Sequence, residues 1–206
     1  MALKTVVKVS NVTNLSDARY CAGMGVEMLG FSMDESSEHY VSPDKLSEIR
    51  GWVAGVRIVG ETASTDLTEI ENALAAYEPD LLQIEDTALL PDILALGLPV
   101  ILKVDMAKFT HEQLAAFLNL APKEIEYVLL ESGANVNYDD ELKDVLRRLT
   151  QHERILLGMG VTAGNVNELL ADIPVEGIAI SGGSEDRPGF RDFGQLMDVL
   201  EVLEEE

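Results

Sequence analysis

Lys103 with Asp105, Glu85 beside Gln83, Glu61, Glu131, Ser10 and Ser32 form the part of this chain that could do acid–base chemistry. Each lies at or just past the carboxyl end of a short apolar run. Carboxylates can give and take protons, and a lysine among them can hold an anion or steady a developing charge. A second kind of chemistry is written in the glycines. Ile180-Ser181-Gly182-Gly183-Ser184-Glu185-Asp186-Arg187-Pro188-Gly189 follows one apolar run, and Leu157-Gly158-Met159-Gly160-Val161-Thr162 follows the one before it. Glycines just after a strand let backbone N–H groups turn toward a ligand, and a helix starting there offers its positive end to an anion. The two loops therefore point to a phosphate site. The same glycines would also serve as plain tight turns.

The elements that must position these residues are legible as β-branched, apolar runs at regular spacing, each followed by a helical stripe. The spacing predicts strands at 5–10, 27–32, 53–59, 81–84, 100–104, 127–131, 154–157 and 177–181. Helix starts stand between them. Asn14 and Ser16 precede a helix reaching Ala22, and Ser42-Pro43 opens one leading to Ile49. Thr65, Thr110, Asp139/Asp140 and Thr162 precede the others. Eight strand–helix alternations in 206 residues predict an α/β fold, a single (β/α)8 TIM barrel domain over 1–206. A doubly wound sheet would use fewer strands, and no Gly-x-Gly-x-x-Gly follows the first. In a barrel, all the residues named above converge on one mouth.

Composition narrows the partners. Fifteen basic against 37 acidic residues give a formal charge of −22, which repels nucleic acid and anionic membranes. Neither is expected as a partner, whereas a small phosphorylated molecule remains compatible. No apolar run is long enough to span a bilayer, the opening segment has no signal-peptide core, and the one cysteine cannot form an internal disulfide. The expected location is the cytoplasm. The three histidines and Cys21 have no metal-ligand spacing, so no metal is expected. Cys21 is expected in the core and Trp52 beneath the barrel, with His111 and His152 solvated near helix ends.

Taken together, the segments resemble the phosphoribosylanthranilate isomerase family of tryptophan biosynthesis. Lys8 to Ala18 resembles that family's Lys-Ile-Cys-Gly-Ile-Thr-Asn-x-x-Asp-Ala. Gly30-Phe31 and Ser37-Glu38-His39-Tyr40-Val41-Ser42-Pro43 resemble its Gly-Phe … Ser-x-Arg-Tyr-[Ile/Val]-Ser-Pro. Leu82-Gln83-Ile84-Glu85 resembles Val-Gln-Leu-His-Gly, and 160–166 and 181–192 resemble its last two loops. The resemblance spans the chain and implies a barrel without a cofactor, monomeric or homodimeric, that converts an aminoaldose phosphate to an aminoketose by an Amadori rearrangement. In that family a carboxylic acid helps open the sugar ring, and a cysteine thiolate takes a proton from the adjacent carbon. The resemblance places Ser10 at the cysteine position and Glu131 at the acid position. It further implies substrate contacts from His39, Gln83, Lys103, Gly160, Ser181, Gly182 and Gly183.

Several matched positions differ in type. Asn11 replaces a glycine, His39 an arginine, and Glu85-Asp86 a histidine–glycine pair. Ala134-Asn135-Val136-Asn137-Tyr138 replaces a Gly-Gly-[Ser/Thr]-Gly loop, and Gly158-Met159-Gly160 replaces Ser-Gly-Gly. A serine hydroxyl needs a second base before it can take a proton. The residues themselves are compatible with three readings: this isomerase, a barrel enzyme acting on another phosphorylated small molecule, and a non-catalytic descendant that binds a ligand or partner.

Overall fold

The computed structural model describes residues 2–119, 122–134, 136–182, 185–187, 190–191 and 194–205. Eight parallel strands close into a barrel in sequence order: β1 (Val6–Ser10), β2 (Met28–Ser32), β3 (Arg57–Glu61), β4 (Leu81–Ile84), β5 (Val100–Asp105), β6 (Tyr127–Glu131), β7 (Ile155–Leu157) and β8 (Gly177–Ser181). β8 returns to β1 in full register, from Val6 opposite Gly177 to Ser10 opposite Ser181. Helices α1 (Leu15–Gly23), α2 (Pro43–Arg50), α3 (Leu67–Tyr77), α4 (Leu90–Ala95), α5 (His111–Asn119), α6 (Asp140–Leu149), α7 (Val166–Asp172) and α8 (Gly194–Leu203) follow the strands. Past β8 the chain adds a small antiparallel pair, β9 (Glu185–Arg187) and β10 (Phe190–Arg191).

Alternation along the strands sorts the side chains into two layers. One set, including Val7, Val9, Leu29, Phe31, Leu102, Val128 and Leu130, belongs to the large core with the helices' buried stripes. The other set fills the barrel itself: Met28, Val59, Leu81, Ile101, Tyr127, Leu129, Leu156 and Ala179, with Val6 against them. Below this plug the floor is charged. Arg57, at the start of β3, forms a bidentate pair with Glu126 across the barrel at 2.6 and 3.1 Å. Arg154 stacks over the Tyr127 ring and binds Glu176 at 2.7 Å. Above the plug, the inward positions turn polar. That change of character along each strand is what makes the upper end a site.

Local sequence sets the helix starts. Asn14, Ser42, Asp66 and Asp139 accept backbone N–H groups at the heads of α1, α2, α3 and α6. The head of α3 is thus Asp66 rather than Thr65. The largest offset from the sequence reading is β3, which begins at Arg57 and not at residue 53. Val53 and Val56 pack against the core from a loop that turns at Gly55, whose φ is +77°. Trp52, expected beneath the barrel, is instead 65% exposed, with the Arg19 guanidinium 6.0 Å from its ring centroid. Cys21 is fully buried, as expected.

Candidate active site

The mouth is built around a buried ion pair. Lys8, two residues before Ser10 and so on the same face of β1, has no solvent exposure. Its ammonium contacts the Glu61 carboxylate from β3 and lies 2.5 Å from Ser10 Oγ. The other Glu61 oxygen accepts the Asn11 backbone N–H at 3.1 Å. Gly30, on the strand between them, leaves the room. A Cβ there would collide with the Glu61 carboxylate and stand 3.0 Å from Lys8 Nζ. Asn11 itself has φ +58°, the left-handed region, which asparagine tolerates better than most residues. Its side-chain amide donates to Ser181 Oγ at 3.0 Å, tying the end of β1 to the end of β8.

On the far side of the mouth, Lys103 on β5 stands between two acids, 3.0 Å from Glu85 and 3.2 Å from Glu131. Burial works to lower the Lys103 ammonium, but Glu131 and Glu85 outweigh it and hold its pKa above the ordinary value. Glu131 ends β6, and Gly158 accommodates it: a Cβ at that position would sit 2.8 Å from Glu131 Cγ. Gln83 lies on β4 in register with Glu61, and its Oε1 is buried with no hydrogen-bond partner among the described residues.

The remaining expected site residues fall around this centre. His39 sits in the β2–α2 loop, 3.4 Å from Glu38. Gly160, with φ +61°, shapes the loop after β7, where Asn165 braces it by donating to Gly160 O and accepting from Thr162 N. The replaced loop after β6 is fastened there too. Tyr138 donates its hydroxyl to Met159 O, and burial pushes that phenol's pKa up. Ser181 ends β8, and the Gly182 N–H is committed to Ser10 O at 2.7 Å. Gly183 lies outside the described residues. Sequence reasoning placed Glu61 at the mouth but missed its partner, Lys8. The available signal was its spacing from Ser10 inside an otherwise apolar strand.

The family model for N-(5'-phosphoribosyl)anthranilate (PRA) isomerase matches residues 7–202. The chain belongs to this family. Its relatives include the N-(5'-phosphoribosyl)anthranilate isomerases of Sinorhizobium medicae (strain WSM419), 26% identical over 210 residues and 96% of each chain, and of Agrobacterium fabrum (strain C58 / ATCC 33970), 26% identical over 213 residues, 98% of this chain and 96% of that one. Among solved structures, phosphoribosyl anthranilate isomerase from Thermotoga maritima superposes with a TM-score of 0.79 at 20% identity, covering 97% of this chain and 98% of that one. A second, solved with reduced 1-(o-carboxyphenylamino)-1-deoxyribulose 5-phosphate, gives 0.77 at 22% identity over the same shares. Both support the barrel. Among the described residues, no helix is long and apolar enough to cross a membrane.

Proposed function

We propose that the protein isomerises N-(5'-phosphoribosyl)anthranilate to the corresponding aminoketose phosphate in tryptophan biosynthesis. The observation that carries this reading is the family match over residues 7–202, which includes every residue of the mouth. The sugar lies across the mouth between Ser10 and Glu131, and its phosphate is held by the loops after β7 and β8, near Gly160, Ser181, Gly182 and Gly183. Glu131 takes the acid role, passing a proton from the Lys103 ammonium 3.2 Å away to the ring oxygen. The C1–O bond breaks as the nitrogen lone pair closes a C=N bond. Loss of the proton on the next carbon then gives an enaminol, which becomes the ketone. Gln83 Oε1, buried with no partner among the described residues, accepts a hydrogen from the substrate. Lys103 and His39 supply the basic side chains for the anionic aromatic end. The protein works without a cofactor, as a monomer or homodimer in the cytoplasm.

The test is loss of anthranilate fluorescence when purified protein meets phosphoribosylanthranilate, with complementation of a tryptophan auxotroph alongside. No turnover at high enzyme concentration refutes the reading. A second reading, a different phosphorylated amine, is favoured by one observation: Lys103 already carries Glu85, so a substrate carboxylate must displace an acid to reach it. Faster turnover of the phosphoribosylaniline analogue, which lacks the carboxylate, would decide for it.

A further inference from the structure

Ser10 stands where a proton-abstracting base is expected, yet its neighbours leave it no way to act as one. A lysine ammonium has three hydrogens and no lone pair. Lys8, paired with the Glu61 carboxylate, therefore donates to Ser10 Oγ and takes nothing from it. Both Glu61 oxygens are engaged, one by Lys8 and one by the Asn11 N–H. No described residue accepts the Ser10 hydrogen. The Ser10 oxygen accepts from Lys8 at 2.5 Å, and its O–H hydrogen is left to donate upward into the mouth. Asn11 and Ser181 bond to each other and not to Ser10, so the donor is free to meet a ligand.

Resting on the isomerase reading, we infer that the buried Lys8–Glu61 pair fixes Ser10 as a hydrogen-bond donor to the substrate oxygen that becomes the ketone, and that the carbon-bound proton goes to Glu131. The proton account closes on the Glu131–Lys103 pair. Glu131, a carboxylate beside the Lys103 ammonium at rest, takes a proton from it and gives that proton to the ring oxygen as the C–O bond breaks and the iminium forms. The resulting carboxylate takes the proton from the adjacent carbon, whose C–H electron pair becomes the C=C bond of the enaminol while the C=N electrons return to nitrogen. Glu131 then returns a proton to Lys103, which restores the resting ion pair. The enaminol hydroxyl gives its proton to water as the first carbon gains one from water, giving the ketone. Ser10 makes and breaks no covalent bond. Lys8 and Glu61 are positioning residues that never touch the substrate.

Two readouts on Ser10→Ala and Glu131→Gln test this. The first is calorimetric binding of reduced 1-(o-carboxyphenylamino)-1-deoxyribulose 5-phosphate, and the second is kcat and KM for phosphoribosylanthranilate. Ser10→Ala should weaken analogue binding about tenfold, the worth of one hydrogen bond, and lower kcat by no more than about tenfold. Glu131→Gln should lower kcat by about a thousandfold or more while binding the analogue within about threefold of wild type. A thousandfold fall in kcat for Ser10→Ala overturns the inference, as does unchanged analogue binding by that variant. If wild type binds the analogue without turning over substrate, the isomerase reading fails, and the binding arm still decides whether Ser10 donates. If wild type does not bind the analogue, both fall.

Discussion

Gly30 leaves the space in which the buried Lys8 ammonium meets the Glu61 carboxylate. Lysine in an apolar run suggests a solvated edge, and only its two-residue spacing from Ser10 places it inside the barrel. Its partner comes from a strand 53 residues away, which no local pattern announces. Ser10 and Glu131 are easier to read by contrast, because each closes an apolar run and ends a strand. Replacing Gly30 by alanine puts a methyl group into the Lys8–Glu61 contact, and we expect a loss of about 2–4 kcal/mol in urea unfolding. Lys8→Met alone should lose about 3–5 kcal/mol by stranding Glu61, while Lys8→Met with Glu61→Leu should recover most of it. Non-recovery would mean that the pair is held by something other than mutual neutralisation. Cys21 gives a pH prediction. Burial, with Asp17 adding to it, pushes its thiol up to about 12, from an ordinary value near 9. Between those values the unfolded chain gives up the thiol proton and the folded one keeps it, so this residue's contribution to stability falls as pH rises above about 9. At pH 8, iodoacetamide should label Cys21 only as fast as the protein unfolds.

β1, β6 and β8 run where the apolar runs predict them, although each ends on a polar residue, and β3 is displaced. β3 is the instructive case. Val53 and Val56 mimic a strand start, while the true strand runs on through Glu61, a carboxylate that a core strand would not carry without a partner. The site at the top of the barrel requires that polarity, so local preference and function disagree there. The loop after β7 shows the opposite: its glycines are visible in the sequence, but the brace that holds them is not. Asn165 satisfies Gly160 O and Thr162 N at 2.8 Å each, from the head of α7. Asn165→Ala removes both bonds and should weaken binding of inorganic phosphate several-fold, with a loss of about 1–2 kcal/mol in stability. A variant that loses stability but binds phosphate as wild type does would place the anion elsewhere in the mouth.

At the scale of the whole molecule, the formal charge of −22 opposes the reaction proposed for it. The substrate carries a phosphate and a carboxylate, so each approach is uphill until local donors take over. The Lys8–Glu61 pair contributes no net charge, and Lys103 already faces two acids. Long-range repulsion therefore dominates encounter, and it is what salt removes. The screening length falls from roughly 30 Å at 0.01 M to about 8 Å at 0.15 M ionic strength. We expect kcat/KM for phosphoribosylanthranilate to rise several-fold over that range in potassium chloride, with kcat nearly constant, because screening acts on approach and not on the bound complex. The urea midpoint should rise over the same range, since the surface acids repel one another in the folded state. These signs are opposite to those of a cationic mouth that draws its substrate in, for which added salt would lower kcat/KM. A fall here would mean that local cations such as Lys103 outweigh the field of the whole molecule at the distance where substrate is captured.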